Sequence, residues 1–378
     1  MNKQLNIEQV QAAMNDRGLN QAKLSEALSV SRTIISNWLK GEKFPRPDKL
    51  LKMGMTLGLP LNQLVIEQPG PMAPVVSFRK KMNRKTRDAH FDLASDMGRL
   101  LELLVEFYPF DNLVQPPTLK QPELDYCYLQ KAAARMRKDM GLGPTDPAPL
   151  ERLIQKFMDL EVVIIPVLWG SKENHGNALR IYLPGSKTTW IYLNLDSHAH
   201  DFLFWMVHEM GHVISPSLQG NTDKSEDFAE QFAQAFLFPK ECAETAYDQV
   251  MNQKSSTDKV SKIIHFAPQH MISPITVYKS INSYADHFNK RKLRMDKSLY
   301  SATTLFNNQH PRISEKLNNG KDYTAADYIE ISERVFQTPF FKILRKYLSE
   351  TDISPSFIQT LLATTVMDAK EIHAELIR

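Results

Sequence analysis

Apolar and polar positions change their spacing as the chain proceeds. In "LNQAKLSEALSVSRTIISNWLKGEKFP", Leu24 and Leu28 share one helical face, and Ile35 and Trp38 share another. Residues three or four apart stack on one side of a helix, so two short helices around a tight turn are expected, with Val30 plugging the angle between them. The Pro-rich "EQPGPMAPVVSF" then reads as a linker, and the basic run "RKKMNRKTR" follows it. Helical patterns return over 89–108, near 124–138 and near 150–160.

Three later runs have strand character. "VVIIPV", "ALRIYLP" and "TTWIYLNL" are short, rich in β-branched and aromatic residues, and bounded by Gly, Pro, Asn or Lys. "PGSK" between the last two signals a hairpin, and Asp196 or Ser197 is placed to cap the next helix. That helix carries an apolar stripe of Leu203, Val207, Met210 and Ile214. Another is predicted over 225–239, and the chain reads helical from there on. Two outlines near 259–288 and 350–376 resemble helix pairs, but neither has a basic face, so they are expected to be packing units.

The implied fold is multidomain and mainly α. Its expected parts are an all-α helix-turn-helix domain (1–67), a linker and helical connector (68–148), an α+β domain with a small sheet (149–245) and a helical region (246–378).

Composition changes this picture little. The 378 residues carry a net charge of only +3, so any case for nucleic acid must rest on a local patch. Such a patch exists: Lys40, Lys43, Arg46 and Lys49 surround the second N-terminal helix. If Ile35 and Trp38 face the core, Arg32, Thr33, Ser36 and Asn37 are left on its outer side. That is how a helix-turn-helix presents its second helix to the major groove. Arg32 suits guanine, Asn37 suits adenine, and Gln21 can reach a backbone phosphate. Two distant cysteines, Cys127 and Cys242, make no disulfide framework, and no apolar run spans a membrane. A cytoplasmic protein is expected.

The sharper chemistry lies in "FWMVHEMGHVISPS". His208 and His212 stand one helical turn apart and can present two imidazoles to one zinc ion. Glu209 lies about 100° round the helix. From there it reaches a water beside the metal rather than the metal, as a general base must. Zinc needs a third protein ligand, and the next helix offers Glu226 and Glu230, four apart on one face. Spacing alone leaves both open. Of the nearby histidines, His198 and His200 at the helix start are expected to be exposed, and His175 in a loop is the better substrate contact. An extended substrate is expected to add to an edge of the small sheet.

Two family resemblances bear on these alternatives. Gln21, Leu24, Val30-Ser31, Ile35-Ser36, Trp38, Gly41 and Pro45 resemble the XRE (Cro/C1-type) helix-turn-helix pattern over about the first 66 residues. The chain departs from that pattern at Ser29, where Gly is common, and at Leu39, where Glu is common. Strands, then HExxH, then Glu226, Ala229, Phe232, Ala233, Leu237 and Pro239 resemble the ImmA/IrrE zinc metallopeptidases, a zincin-like fold. The second resemblance implies that Glu226 is the third ligand. It makes Glu230, where Asn is usual, an extra carboxylate that acts from behind the ligands or replaces one. It also implies zinc-dependent cleavage of a repressor-type protein, or of the chain itself, under stress or phage signals. The alternative is a DNA-binding repressor or antitoxin, paired with a toxin, whose zinc domain senses a partner without proteolysis. XRE domains read two-fold operators in double-stranded DNA, so a homodimer is expected.

Overall fold

Asn20 and Ser31 accept hydrogen bonds from the Lys23 and Ile34 amides, at 2.9 and 3.3 Å. They thereby cap the two helices that the N-terminal periodicity predicts. The structure, a computed structural model, describes residues 3–40, 45, 47–67, 74–77, 84–108, 118–170, 176–218 and 222–378. Two compact units divide the chain, Met1–Ala73 and Pro74–Arg378.

The first unit runs β1 (Lys3–Leu5), α1 (Ile7–Asp16), α2 (Gln21–Leu28), α3 (Arg32–Leu39), α4 (Pro47–Leu57), α5 (Leu61–Leu64) and β2 (Val65–Glu67). Leu24, Leu28, Ile35 and Trp38 meet Val10, Met53 and Leu57 in one core, and Val30 packs half-buried against it. β1 and β2 pair antiparallel. Three-residue strands are too short to show a period, which is why the sequence does not announce this ribbon. Ser29 ends α2 in the left-handed region, at φ 53°.

The second unit contains β3 (Val75–Ser77), α6 (Arg84–Leu104), α7 (Tyr126–Asp139), α8 (Leu150–Asp159), β4 (Val162–Val167), β5 (Ala178–Leu183), β6 (Thr188–Asn194), α9 (Ala199–Ile214) and α10 (Thr222–Leu237). Then come α11 (Lys240–Met251), α12 (Ser256–Gln269), α13 (Pro274–His287), α14 (Asp296–Asn308) and α15 (Ile313–Leu317). The chain closes with α16 (Ala325–Phe336), α17 (Phe340–Glu350), α18 (Pro355–Leu362) and α19 (Val366–Leu376).

The sheet order is β3-β5-β6-β4; β5 pairs antiparallel with both neighbours, and β4 lies parallel to β6. Alternation of side chains gives the sheet two apolar faces. Val162, Ile164, Ile191 and Leu193 join a core with residues of α7–α13. Val163, Ile165, Leu179, Ile181, Trp190 and Tyr192 join another with residues of α6 and α16–α19. Helices on both faces explain why "VVIIPV" is apolar at every position rather than alternating.

Several expectations change here. Val75–Ser77, read as part of a linker, is a strand of the sheet. One core draws on residues from Leu129 to Phe336, across the boundaries expected near 148 and 245. The sheet also offers an extended peptide less than expected. β3 covers the outer side of β5. Along β4 the carbonyls of Ile164 and Pro166 accept hydrogen bonds from Thr338 Oγ1 and Tyr328 Oη. Pro166 has no N–H to offer, as suits a strand without an outer partner. Asp196 and Ser197 do not cap α9. Asp196 accepts from Gly170 N and Ser314 Oγ, both at 2.7 Å, while Ser197 Oγ donates to Asn177. The N-cap is His198, with no side-chain bond.

Candidate functional site

Every residue of α9 from Trp205 to Ile214 is buried. Val207, Met210 and Ile214 anchor the helix in the core it shares with the sheet. Gly211 is what lets α10 close on the opposite side. A Cβ there would sit 2.9 Å from Ala229 Cα and 3.3 Å from Ala229 Cβ. Backbone cannot yield as a flexible side chain can, so only Gly permits this approach. The close packing brings the first turns of α10 against the last turns of α9, and Glu226 reaches both histidines.

His212 Nε2 stands 3.2 Å from His208 Nε2 and 3.2 Å from Glu226 Oε1, and His208 Nε2 stands 3.5 Å from Glu226 Oε2. The three side chains can hold a metal ion. Ser225 Oγ, 3.0 Å from His212 Nδ1, supports the arrangement from behind. With the proton on Nδ1, donated to Ser225, His212 turns its Nε2 lone pair into the site. Burial pushes His212 down to about 4, keeping it neutral as a ligand must be. Burial alone would raise Glu226, but hydrogen bonds with His208 and His212 outweigh it and hold the carboxyl down at about 2. Two imidazoles and a carboxylate are a donor set for a divalent cation.

Glu209 faces the same interior. Burial, with Glu226 adding to it, raises its carboxyl to about 7 against the opposing pull of His208 and Arg180. Its Oε2 has no hydrogen-bond partner. Glu230 is turned elsewhere: its Oε1 accepts from Lys279 Nζ of α13. The structure therefore groups Glu226, not Glu230, with the histidines.

Two residues of the centre escape the sequence reading. Ser225 has no local signal beyond its place beside Glu226. Arg180 alternates in β5 with Leu179 and Ile181, so its pattern reads as a solvent-facing position. Because helices cover both faces, it is buried instead, at 1% exposure. Desolvation lowers its guanidinium from the usual range, and Glu209, Tyr182 and Glu226 oppose that shift.

The expectation that His200 is exposed is overturned. It packs against Phe306 and His310, with ring centroids at 4.8 and 4.3 Å, and burial pushes it down to about 4. Helix α14 covers the start of α9, which a local pattern could not reveal. His198 is half-buried and its backbone bridges to Arg312. His175 lies outside the described residues.

In the first unit, Arg32, Thr33 and Lys40 are exposed on α3, Ser36 and Asn37 are half-buried there, and Gln21 is half-buried at the start of α2. Lys49 turns inward, donating to Leu28 O at 3.1 Å. Lys43 and Arg46 lie outside the described residues. No helix among the described residues is long and apolar enough to cross a membrane.

Comparison with curated proteins and with solved structures gave no match. A family model described as helix-turn-helix matches residues 10–64, which hold α1 to α5. With α2, Ser29 and α3 arranged as described, the N-terminal unit is an XRE-type helix-turn-helix, the double-stranded-DNA-binding module of a transcriptional regulator.

Proposed function

We propose that the chain is a DNA-binding regulator whose second unit is a zinc-dependent peptidase of the ImmA/IrrE kind, cleaving a repressor-type protein or the chain itself. The observation that carries this reading is the convergence of His208, His212 and Glu226, with the buried Glu209 beside them, its Oε2 without a hydrogen-bond partner among the described residues. Tetrahedral zinc with ligands at about 2.0–2.1 Å sets those ligands about 3.3–3.4 Å apart. The two Nε2 atoms, 3.2 Å apart, are close to that spacing, and Glu226 brings one oxygen to 3.2 Å from His212 and the other to 3.5 Å from His208. A bound zinc ion supplies Lewis acidity to a peptide carbonyl and to the water that attacks it.

His208, His212 and Glu226 would hold the ion, and Ser225 fixes the His212 ring. Glu209 takes one proton from water as its oxygen bonds to the carbonyl carbon. It then delivers that proton to the amide nitrogen as the C–N bond breaks. The packed interior around α9 excludes bulk water from this exchange. In the first unit Arg32, Thr33, Ser36, Asn37 and Lys40 would meet the major groove, with Gln21 on a phosphate. Two copies would read a two-fold operator.

A second reading, a zinc-built sensor or antitoxin without turnover, is favoured by the sheet edges. β3 already covers β5, and an extended peptide could pair there only by displacing it. The discriminating experiment incubates zinc-loaded protein alone and with repressor-type helix-turn-helix partners, followed by intact-mass analysis. Wild type should yield fragments, and Glu209→Gln should lose about 10²–10⁴-fold in rate. If both leave every candidate intact while retaining zinc, the peptidase reading gives way to the sensor.

A further inference from the structure

Two arginines of the second unit are buried almost equally, Arg137 at 2% and Arg180 at 1% exposure. Their surroundings differ sharply. Arg137 is a structural staple: its guanidinium donates to Gly143 O, Asp146 O and Phe236 O, tying the end of α7 to the end of α10. Arg180 Nε and Nη1 have no hydrogen-bond partner among the described residues. A buried charge without hydrogen bonds is costly, and a fold that needed only volume at this point would do better with an apolar side chain. The charges acting on Arg180 are those of Glu209, Tyr182 and Glu226. Strand alternation turns Arg180 away from Leu179 and Ile181 and toward the face of the sheet on which α9 packs, the side of the candidate metal centre. His208, Glu209, His212 and Glu226 are themselves at most 7% exposed, so guanidinium, base and ligands share one water-poor interior.

We propose that Arg180 is the anion-binding group of the centre, holding the negative oxygen that forms as water adds to the substrate carbonyl. The proposal rests on the zinc-peptidase reading and supplies it with an oxyanion stabiliser. Charge balance supports it. A divalent ion with ionised Glu226 and Glu209 is neutral as a group, and Arg180 makes the group singly positive. As Glu209 takes the water proton its own charge is neutralised, so the total stays singly positive and the negative charge moves onto the carbonyl oxygen, where the Arg180 N–H groups can meet it. N–H donors fixed in place before the reaction do this in a dry site without reorganisation.

The test compares wild type, Arg180→Met and Arg180→Lys as full-length, zinc-loaded chains, using the substrate found for the wild type. Loss of one oxyanion donor costs about 10²–10³-fold in kcat. Arg180→Met should show that loss with KM and zinc content near the wild-type values, and Arg180→Lys should recover part of it. A second readout needs no turnover. Cobalt(II)-loaded protein is titrated with acetate and followed by its visible ligand-field bands. A hydrogen bond to a charged partner is worth about tenfold or more in affinity. Acetate binding should weaken by that factor in Arg180→Met and return in part with Arg180→Lys. Wild-type acetate affinity and kcat in Arg180→Met would overturn the proposal. So would a loss that tracks falling metal content and that lysine does not restore, because that pattern marks a packing role. If wild type loads cobalt but cleaves nothing, the peptidase reading and the oxyanion role fall together, while the acetate titration still decides whether Arg180 is the anion-binding group of the centre.

Discussion

Helices α3 and α9 each carry the chemistry of their unit, and they do so in opposite ways. α3 buries only Ile35 and Trp38 and leaves Arg32, Thr33 and Lys40 exposed. α9 buries His208, Glu209, His212 and its apolar stripe together. The exposed Arg32 and Lys40 at the two ends of α3 stay in water, so the helix needs only a small apolar core to hold it. Polar groups on α9 have lost their water. Burial shifts His212 and Glu209 in opposite directions, and among the described residues Glu209 Oε2, His208 Nδ1 and two Arg180 nitrogens have no hydrogen-bond partner. Such a centre depends on its packing, and a cation bound there would relieve it.

The largest test of this contrast is metal removal. A ligand at a thousand times its dissociation constant adds about 4 kcal/mol to the state that binds it. Adding a chelator to the zinc-loaded full chain should lower the calorimetric transition of residues 74–378 and leave that of the N-terminal unit in place. His212→Ala should mimic the chelator. Equal shifts of both transitions would break the comparison.

A smaller effect is expected at the contact between α9 and α10. Gly211→Ala pushes a methyl against Ala229 backbone, and overpacking of that kind costs about 3 kcal/mol where nothing can yield. The same shift separates His208 and His212 from Glu226, so zinc affinity should fall with stability in one variant. Unchanged zinc affinity in a destabilised Gly211→Ala would show that the ligand geometry does not depend on this approach.

On α3 the opposite pattern is expected. Arg32→Ala should weaken operator binding by about 2 kcal/mol and leave melting and zinc content unaltered. A drop in melting temperature would mean that Arg32 serves the fold. The smallest effect lies at Ser29. A left-handed conformation costs a residue with a side chain about 1–2 kcal/mol, partly offset by the extra entropy that Gly loses on folding. Ser29→Gly should therefore stabilise the N-terminal unit by at most about 1 kcal/mol, even though it removes the 3.3 Å contact from Lys52.

Much of this molecule is legible in one dimension because local rules act over three or four residues. The spacing of Leu24, Leu28, Ile35 and Trp38 encloses the N-terminal core, and Ser31 starts α3 wherever that helix sits. β-Branched runs make β4, β5 and β6, and HExxH places two imidazoles one turn apart. What the sequence left open was decided by neighbours distant along the chain. Glu226 and Glu230 are equivalent in spacing, and Lys279 on α13 draws Glu230 away. His200 reads as a polar helix start until α14 covers it. Arg180 reads as a strand's wet side until α9 closes over it, and Val75–Ser77 reads as linker until β5 offers it a partner. Periodicity determines which face of an element is apolar. Only tertiary packing decides whether the other face meets water, because that depends on elements distant along the chain. For this protein the ligand pair and the DNA-reading helix belong to the first category, and the enclosed charge of the metal centre belongs to the second.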